Sequence, residues 1–500
     1  MAGSGSQDQA IAASAAVRFV LDGQSVSVAN LPATTTVLEY LRNVAHRTGT
    51  KEGCAEGDCG ACTVVLGELM AGAQQVHYRA VNSCIRLLPT IDGQELVTVE
   101  SLAAPEGTLH PVQQAMVDYH ASQCGFCTPG FVMSLFALYL NEPSPDRTQV
   151  LEALSGNLCR CTGYRPIIEA GCQMAAYPKP AHWSRDEPSA PARCSALRAI
   201  QRQQALKLPG FTAPRSLKEL AATLEANPAA QVLAGGTDVG LWVTKQLREL
   251  PAIVYVGEVA ELKAASSDAQ GLSIGAAVPL TQAWALILKS YPQLTELALR
   301  FGSPPVQNSG TLGGNVANGS PIGDSMPALI ALGAQVELQR GSSVRRLALE
   351  QLYLGYQRKD MAPGEFLVRV LIPAPAAGQC FASYKVAKRF DQDISALCAA
   401  FALRIEHSHV VAVRIAYGGM AAIPSRAAAT EQALLGQPWN EASVEKAMRA
   451  LGEDFKPLTD MRASSGYRLQ AAAQLLRRFF LEHGAAPQAC RAQQAVAAPL

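Results

Sequence analysis

Eight of the 13 cysteines in this chain of 500 residues lie between Cys54 and Cys161. No other feature limits the folding of that stretch as much. The first group reads Cys54-x4-Cys59-x2-Cys62, and Cys84 follows after a gap. The second is Cys124-Gly-Phe-Cys127 and the third Cys159-Arg-Cys161. Disulfides are disfavoured, because a cytosolic chain keeps its thiols reduced and Cys159 and Cys161 sit too close together to pair easily. Structural zinc suits two CxxC-like pairs, but it accounts poorly for three thiolates crowded into one loop.

Two [2Fe–2S] clusters, each on four thiolates, fit best. C-x4-C-x2-C…C is the plant-type ferredoxin spacing. Gly53, Gly57 and Gly60 are interleaved with those cysteines and let the chain wrap closely around a bulky anion. The second set has no ferredoxin counterpart, so its spacing gives four thiolates able to converge and no more.

The remaining composition excludes several classes. The 49% hydrophobic and 17% charged fractions are globular values. Lys+Arg 42 against Asp+Glu 41 leaves +1, which gives no support for a broad nucleic-acid-binding face. No run reaches the roughly 18–20 apolar residues that span a bilayer; residues 131–140 read as a turn or two of buried helix. The N-terminus lacks a signal-peptide pattern, and a cytoplasmic location is expected.

Alternation around Asp22-Gly23 predicts a β-hairpin over 17–28. A short helix is expected over 36–43, and strands over 64–66 and 96–99. Together these suggest a small α+β unit around the first cysteine set, matching a β-grasp fold. From 101 to 177 the pattern is helical. Thr128-Pro129-Gly130 reads as a break before a helix from Phe131, and 148–158 as a helix ending at the Cys159 pair. Prolines 178, 180, 188 and 191 mark a linker over 179–207. Beyond it come a helix over 216–225 with Ser216 as N-cap, and two Gly-rich turns at 232–240 and 310–321. Strands follow over 399–405 and 410–416, then a helical tail over 441–482. The pair His407 and His409 reads as one exposed strand face. Cys172, Cys194, Cys380, Cys398 and Cys490 read as packing or incidental thiols.

Backbone amides freed by glycine cradle phosphate oxygens, and two such turns suit a dinucleotide pyrophosphate. No GxGxxG opens a βαβ unit, and no Walker A lysine is present. Iron–sulfur clusters move electrons singly and nicotinamides accept hydride; a flavin couples the two. The combination points to FAD.

The segments KEGCAEGDCGACTV, CGFCTPGF, LSGNLCRCTGYRPI, LAGGTDVG and TLGGNVANGSPIGDSMPALIAL resemble the xanthine dehydrogenase/molybdenum hydroxylase family. The resemblance implies a multidomain α+β chain. Its domains would be a β-grasp plant-type 2Fe–2S domain over 15–100, an all-helical 2Fe–2S domain over 101–178, an α+β FAD-binding domain over 208–375 and an α+β C-terminal flavoprotein domain over 376–485. It implies one cluster on Cys54, Cys59, Cys62 and Cys84, and another on Cys124, Cys127, Cys159 and Cys161. Leu233, Ala234, Gly235, Gly236, Thr237, Asp238 and Val239 would hold the FAD pyrophosphate. Thr311, Gly314, Asn315, Asn318 and Asp324 would bind phosphate and ribose. Phe301, Leu367 and Lys385 would contact the flavin, and the charged stretch over 384–394, with Asp391 and Asp393, would lie over its face. Gln307 departs from the basic residue common at that place.

The implied activity is electron transfer during oxidation of hypoxanthine or xanthine to urate, with NAD+ as acceptor and no catalytic acid–base residue on this chain. The expectation is that no pterin-binding portion follows Leu500 and that a separate large molybdenum-cofactor subunit carries it, in a heterodimer or a dimer of heterodimers. An aldehyde or N-heterocycle hydroxylase subunit is the alternative, and a zinc-held scaffold the non-enzymatic one.

Overall fold

A computed structural model describes residues 16–70, 72–390 and 392–484. The chain divides into two compact units. The first takes residues 1–263, 279–281 and 302–311, and the second takes 264–278, 282–301 and 312–500. The stretch expected as one FAD-binding domain, 208–375, is therefore shared between them.

The first unit opens with strands β1 (Val17–Leu21) and β2 (Gln24–Val28). Asp22 and Gly23 both have positive φ, 49° and 83°. That is the backbone a two-residue hairpin needs, and Asp-Gly supplies it at little strain. Strands β3 (Thr63–Glu68), β4 (His77–Asn82) and β5 (Glu95–Val97) complete a sheet of order β2-β1-β5-β3-β4. Phe19, Leu41, Val64, Leu66, Ile91 and Leu96 form its core. The expected helix near residue 36 starts at Val37 behind a Thr36/Glu39 capping box.

Four helices follow: Pro111–Asp118, Thr128–Asn141, Arg147–Leu154 and Arg165–Gln173. Two expectations fail here. Thr-Pro-Gly is not a break ahead of the second helix but its first turn, because proline is at home there; the helix has 14 residues, longer than the turn or two foreseen. The third helix stops at Leu154. Residues 155–158 leave it and run to the Cys59 loop, where the Leu158 amide donates to the Cys59 carbonyl at 2.9 Å.

The proline-rich stretch expected as a linker is packed, with a helix over Pro191–Ile200. Trp183 is buried, its indole N–H on the Ser101 carbonyl at 3.1 Å, and the Arg193 guanidinium stacks 3.8 Å over its ring. Arg193 also pairs with the buried Glu95 carboxylate. An aromatic anchor and an ion pair outweigh proline's preference for open chain. A second sheet of this unit, order β6-β7-β9-β8, comprises β6 (Leu206–Leu208), β7 (Phe211–Ala213), β8 (Gln231–Leu233) and β9 (Ile253–Tyr255).

The second unit has strands β10 (Ala265–Asp268), β11 (Gly271–Gly275), β12 (Gln335–Arg340) and β13 (Ser343–Ala348), a short pair β14 (Tyr353–Gly355) and β15 (Arg358–Lys359), and β16 (Phe366–Pro373). Five of them form a sheet of order β10-β11-β16-β12-β13. Strands β17 (Gln379–Val386), β18 (Leu397–Glu406), β19 (His409–Gly418) and β20 (Ser425–Arg426) form a meander. Helices Glu441–Asp454 and Ser465–His483 contribute Val444, Leu451, Leu476 and Phe479 to the meander's core. His407 and Ser408 have positive φ and make the β18–β19 turn, so His407 and His409 do not share a strand face. No helix among the described residues is long and apolar enough to cross a membrane.

Candidate redox cofactor sites

The structure brings the first four cysteines together. Cys62 Sγ lies 3.2 Å from Cys84 Sγ, and the Cys54 thiol is hydrogen-bonded to those of Cys59 and Cys84. Gly57 and Gly60 have φ of +87° and +69°, which places the loop backbone where a side-chain-bearing residue would be strained. A Cβ on Gly53 would sit 2.8 Å from Cys59 Sγ. The Cys59 amide points at Cys54 Sγ at 3.4 Å, and the Asn82 side-chain amide at Cys62 Sγ at 3.9 Å. As free thiols the four cannot ionise together. The Cys59 and Cys84 hydrogen bonds hold Cys54 far down, and those two groups are pushed up in turn. Iron removes that conflict, since a coordinating thiol is deprotonated outright. Four convergent thiolates with amides aimed at sulfur fit a [2Fe–2S] cluster.

The second set also converges, which its spacing alone left open. Cys127 pairs with Cys159, and Cys124 with Cys161, thiol to thiol. Gly125 has φ +82°. The Thr162 amide donates to Cys159 Sγ at 3.5 Å. The two sets differ in exposure. Cys62 and Cys84 are 1% and 2% exposed, whereas Cys124 and Cys161 lie open at the surface.

The loops of the two sets are joined by residues that motif spacing does not mark. Asn157 donates from Nδ2 to the Gly60 carbonyl at 3.1 Å and accepts from the Ser134 hydroxyl at 2.7 Å. A Cβ on Gly130 would lie 2.1 Å from that same carbonyl. Only the fold reveals this closeness, because the partners are 70 to almost 100 positions apart.

In the first unit, β8 runs into the turn 234–238 and the helix Val239–Thr244. Leu233 is buried, Asp238 exposed, and Ala234, Gly235, Gly236, Thr237 and Val239 half-buried. Gly236 has φ +74°. A Cβ on Gly235 would stand 1.9 Å from the Ser309 carbonyl, so this turn lies directly against the chain leading to Thr311. Gln307, the departure noted above, donates to the Gly302 carbonyl at 3.0 Å, just ahead of its own helix Pro304–Ser309.

In the second unit the second Gly-rich segment is not a turn. Leu312–Asn318 is helical, with Gly314, Asn315 and Asn318 on it. A Cβ on Gly313 would lie 2.4 Å from Ala276 Cα, so glycine lets this helix rest on the neighbouring backbone. Asn318 is exposed and is followed by Gly319 at φ +66°. Phe301 is half-buried, edge-on to Trp284 at 5.5 Å. Leu367 is buried on β16 opposite Leu338. Asp324 and Lys385 form a buried ion pair at 2.8 Å. Ser395 donates to the other Asp324 oxygen at 2.7 Å, and Lys385 also donates to the Arg300 carbonyl at 2.9 Å. Read singly, Lys385 is a solvated charge and Asp324 a helix cap; the fold makes them partners. Asp393 pairs with Arg389, whose hydrogen bonds hold its carboxyl below the usual range. Asp391 and Cys490 lie outside the described residues. In each unit, glycine at positive φ and a small residue with backbone within contact fit close approach to the phosphates of a dinucleotide.

Known proteins agree with this layout. Residues 19–87 match the 2Fe-2S iron-sulfur cluster binding domain and 98–172 the [2Fe-2S] binding domain. Residues 204–375 match the FAD binding domain in molybdopterin dehydrogenase, and 382–483 the CO dehydrogenase flavoprotein C-terminal domain. Xanthine dehydrogenase of Drosophila subobscura is 32% identical over 493 residues, taking in 87% of this chain and 36% of that protein. Aldehyde oxidase 2 of Cavia porcellus is 30% identical over 524 residues, or 93% of this chain and 39% of that one. The chain thus spans little more than a third of the length of these curated relatives. A carbon monoxide dehydrogenase chain from Hydrogenophaga pseudoflava, in a form lacking the Mo-pyranopterin moiety, superposes with a TM-score of 0.51 at 28% identity, covering 54% of this chain and 94% of that one. Through these four domains the chain belongs to the molybdenum hydroxylase family, as its iron–sulfur and FAD-binding part.

Proposed function

We propose that this chain is the electron-transfer subunit of a xanthine dehydrogenase, working with a large subunit that carries the molybdenum cofactor. Purine hydroxylation takes place on that subunit, and NAD+ is the final acceptor. When bound, the clusters carry single electrons and FAD collects them in pairs for hydride transfer. Cys124, Cys127, Cys159 and Cys161 hold one cluster; Cys54, Cys59, Cys62 and Cys84 hold the other. Residues 233–239 with Thr311, and Gly314, Asn315, Asn318, Asp324, Phe301, Leu367 and Lys385, bind FAD.

The observation that carries the order of transfer is the difference in exposure. Cys124 and Cys161 are open to an outside partner, beside the exposed side chains of Phe126 and Leu158. Cys62 and Cys84 are sealed from solvent, among Leu38, Ile85 and Leu241, the last of these on the helix after the first Gly-rich turn. With clusters held on these cysteines, the helical-domain set would be the entry point for electrons and the plant-type set the exit. The chain needs no acid or base for this work; its side chains bind, orient and exclude water.

Purification from a native source tests the proposal. Expected are a brown complex with a molybdenum-bearing subunit, and xanthine-dependent reduction of NAD+. A complex that turns over aldehydes or N-heterocycles but not purines favours a second reading, which the aldehyde oxidase and carbon monoxide dehydrogenase likenesses support. A colourless, zinc-containing chain overturns both.

A further inference from the structure

The helix Val239–Thr244 has a glycine at its second position, where alanine is the better helix former. Close packing on Ile85 accounts for it. A Cβ on Gly240 would lie 2.5 Å from the Ile85 carbonyl oxygen, 2.9 Å from Ile85 Cβ and 3.1 Å from its Cα. Two of those three atoms are backbone and cannot swing aside. Ile85 directly follows the cluster ligand Cys84, and its Cδ1 would lie 2.7 Å from a Cβ on Gly57 of the cysteine loop. Ile85 is thus held between two glycines, one on each side of the joint.

Two further contacts hold the same helix to the cysteine loop. Thr244 Oγ1 donates to the Ala55 carbonyl at 2.8 Å. Leu241 packs with Leu38, Cys62, Cys84 and Ile85. The helix that leaves the first Gly-rich turn therefore rests on both stretches of chain that supply thiolates.

We infer that the Ile85–Gly240 contact is the route by which electrons leave the plant-type cluster for FAD, and that Gly240 is a positioning residue for that transfer. The inference rests on reading residues 233–239 as flavin-holding. In the step itself one electron leaves the reduced cluster, which becomes oxidised, and the flavin gains it; no bond to the protein forms or breaks, and the same contact carries the reverse transfer when reduced flavin is the donor. A side chain at position 240 lengthens the gap without removing a ligand of either group.

The test uses the full chain with iron, sulfide and FAD bound. The flavin is reduced by a light flash with a sacrificial donor, and arrival of the electron on the cluster is followed by its visible bleaching. No partner subunit or NAD+ is needed. Gly240→Ala is expected to keep both clusters and FAD while slowing this arrival several-fold. Gly452→Ala, a helical glycine with nothing near its would-be Cβ, leaves the rate unchanged as a control. An unchanged rate in Gly240→Ala with all groups bound overturns the inference and leaves the flavin assignment standing. If Gly240→Ala loses FAD, Leu241→Ala decides: slower transfer with FAD retained supports the route, and an unchanged rate overturns it. A native chain that binds no FAD overturns the flavin assignment itself.

Discussion

The Leu158 amide donates to the Cys59 carbonyl at 2.9 Å, so a residue adjoining one cysteine set is bonded to a cysteine of the other. Asn157 reinforces this joint from a buried position, between the Gly60 carbonyl and the Ser134 hydroxyl. Asn157→Ala strands the Ser134 hydroxyl and takes a donor from Gly60. A loss of about 1–3 kcal/mol in unfolding free energy is expected, the usual cost of a buried group left unpaired. Urea denaturation followed by the visible spectrum measures it; an unchanged midpoint shows that Asn157 is not a clamp.

Cys127→Ser removes one thiolate of the exposed set. Loss of a single [2Fe–2S] signal in electron paramagnetic resonance is expected, together with loss of substrate-to-NAD+ turnover in the complex. NADH oxidation by an artificial flavin-reactive acceptor survives. If both activities disappear while FAD stays bound, the order of transfer is wrong.

The buried Lys385–Asp324 pair gives a stability prediction with its own control. Lys385→Met leaves the Asp324 carboxylate buried without its cation, a change that costs about 3–5 kcal/mol. Replacing both members by apolar residues is often close to neutral, so Lys385→Met with Asp324→Leu is expected to recover most of the loss. Thermal denaturation compares them. A double variant no better than the single one shows that the unpaired charge is not the cause.

His110 makes the fold sensitive to mild acid. Its ring is buried against Phe136 and Tyr139, with Nε2 3.2 Å from the Trp183 carbonyl and Nδ1 accepting from the Val112 amide at 3.3 Å. That pattern needs the neutral imidazole, because a second proton on Nδ1 would face the Val112 N–H. Burial pushes the ring down to about 4, outweighing the Trp183 hydrogen bond, which raises it. The unfolded chain, near 6.5, binds more protons between these values. The contribution is complete above pH 6.5 and is lost as pH falls toward 4, by about 3 kcal/mol at 1.36 kcal/mol per unit. His110→Phe is expected to flatten the dependence of the urea midpoint on pH across that window; an equal slope in both proteins refutes it.

Gly235→Ala drives a methyl group into the Ser309 carbonyl, 1.9 Å away. The turn must move, and FAD is expected to wash out on desalting while both cluster signals remain. Retained flavin absorbance would show that residues 233–239 do not hold it.

The amino-acid order alone determined the cofactor chemistry and most of the local structure. Cys54-x4-Cys59-x2-Cys62 and the Asp22-Gly23 hairpin are short-range patterns, set by donor type and backbone freedom, and both are met in the fold. Convergence of Cys124, Cys127, Cys159 and Cys161 needed the packed helices, since spacing says nothing about where a chain returns. Pro129 and the residues 311–318 were misjudged for one reason. Proline and glycine are punctuation in isolation, but in context Pro129 opens a helix and Gly313 lets one lie on the Ala276 backbone. The packed stretch after Pro178, the Lys385–Asp324 pair and the Ile85–Gly240 contact join residues far apart in the chain. Burial and close approach decided them, and those are properties of the folded chain that no local pattern encodes.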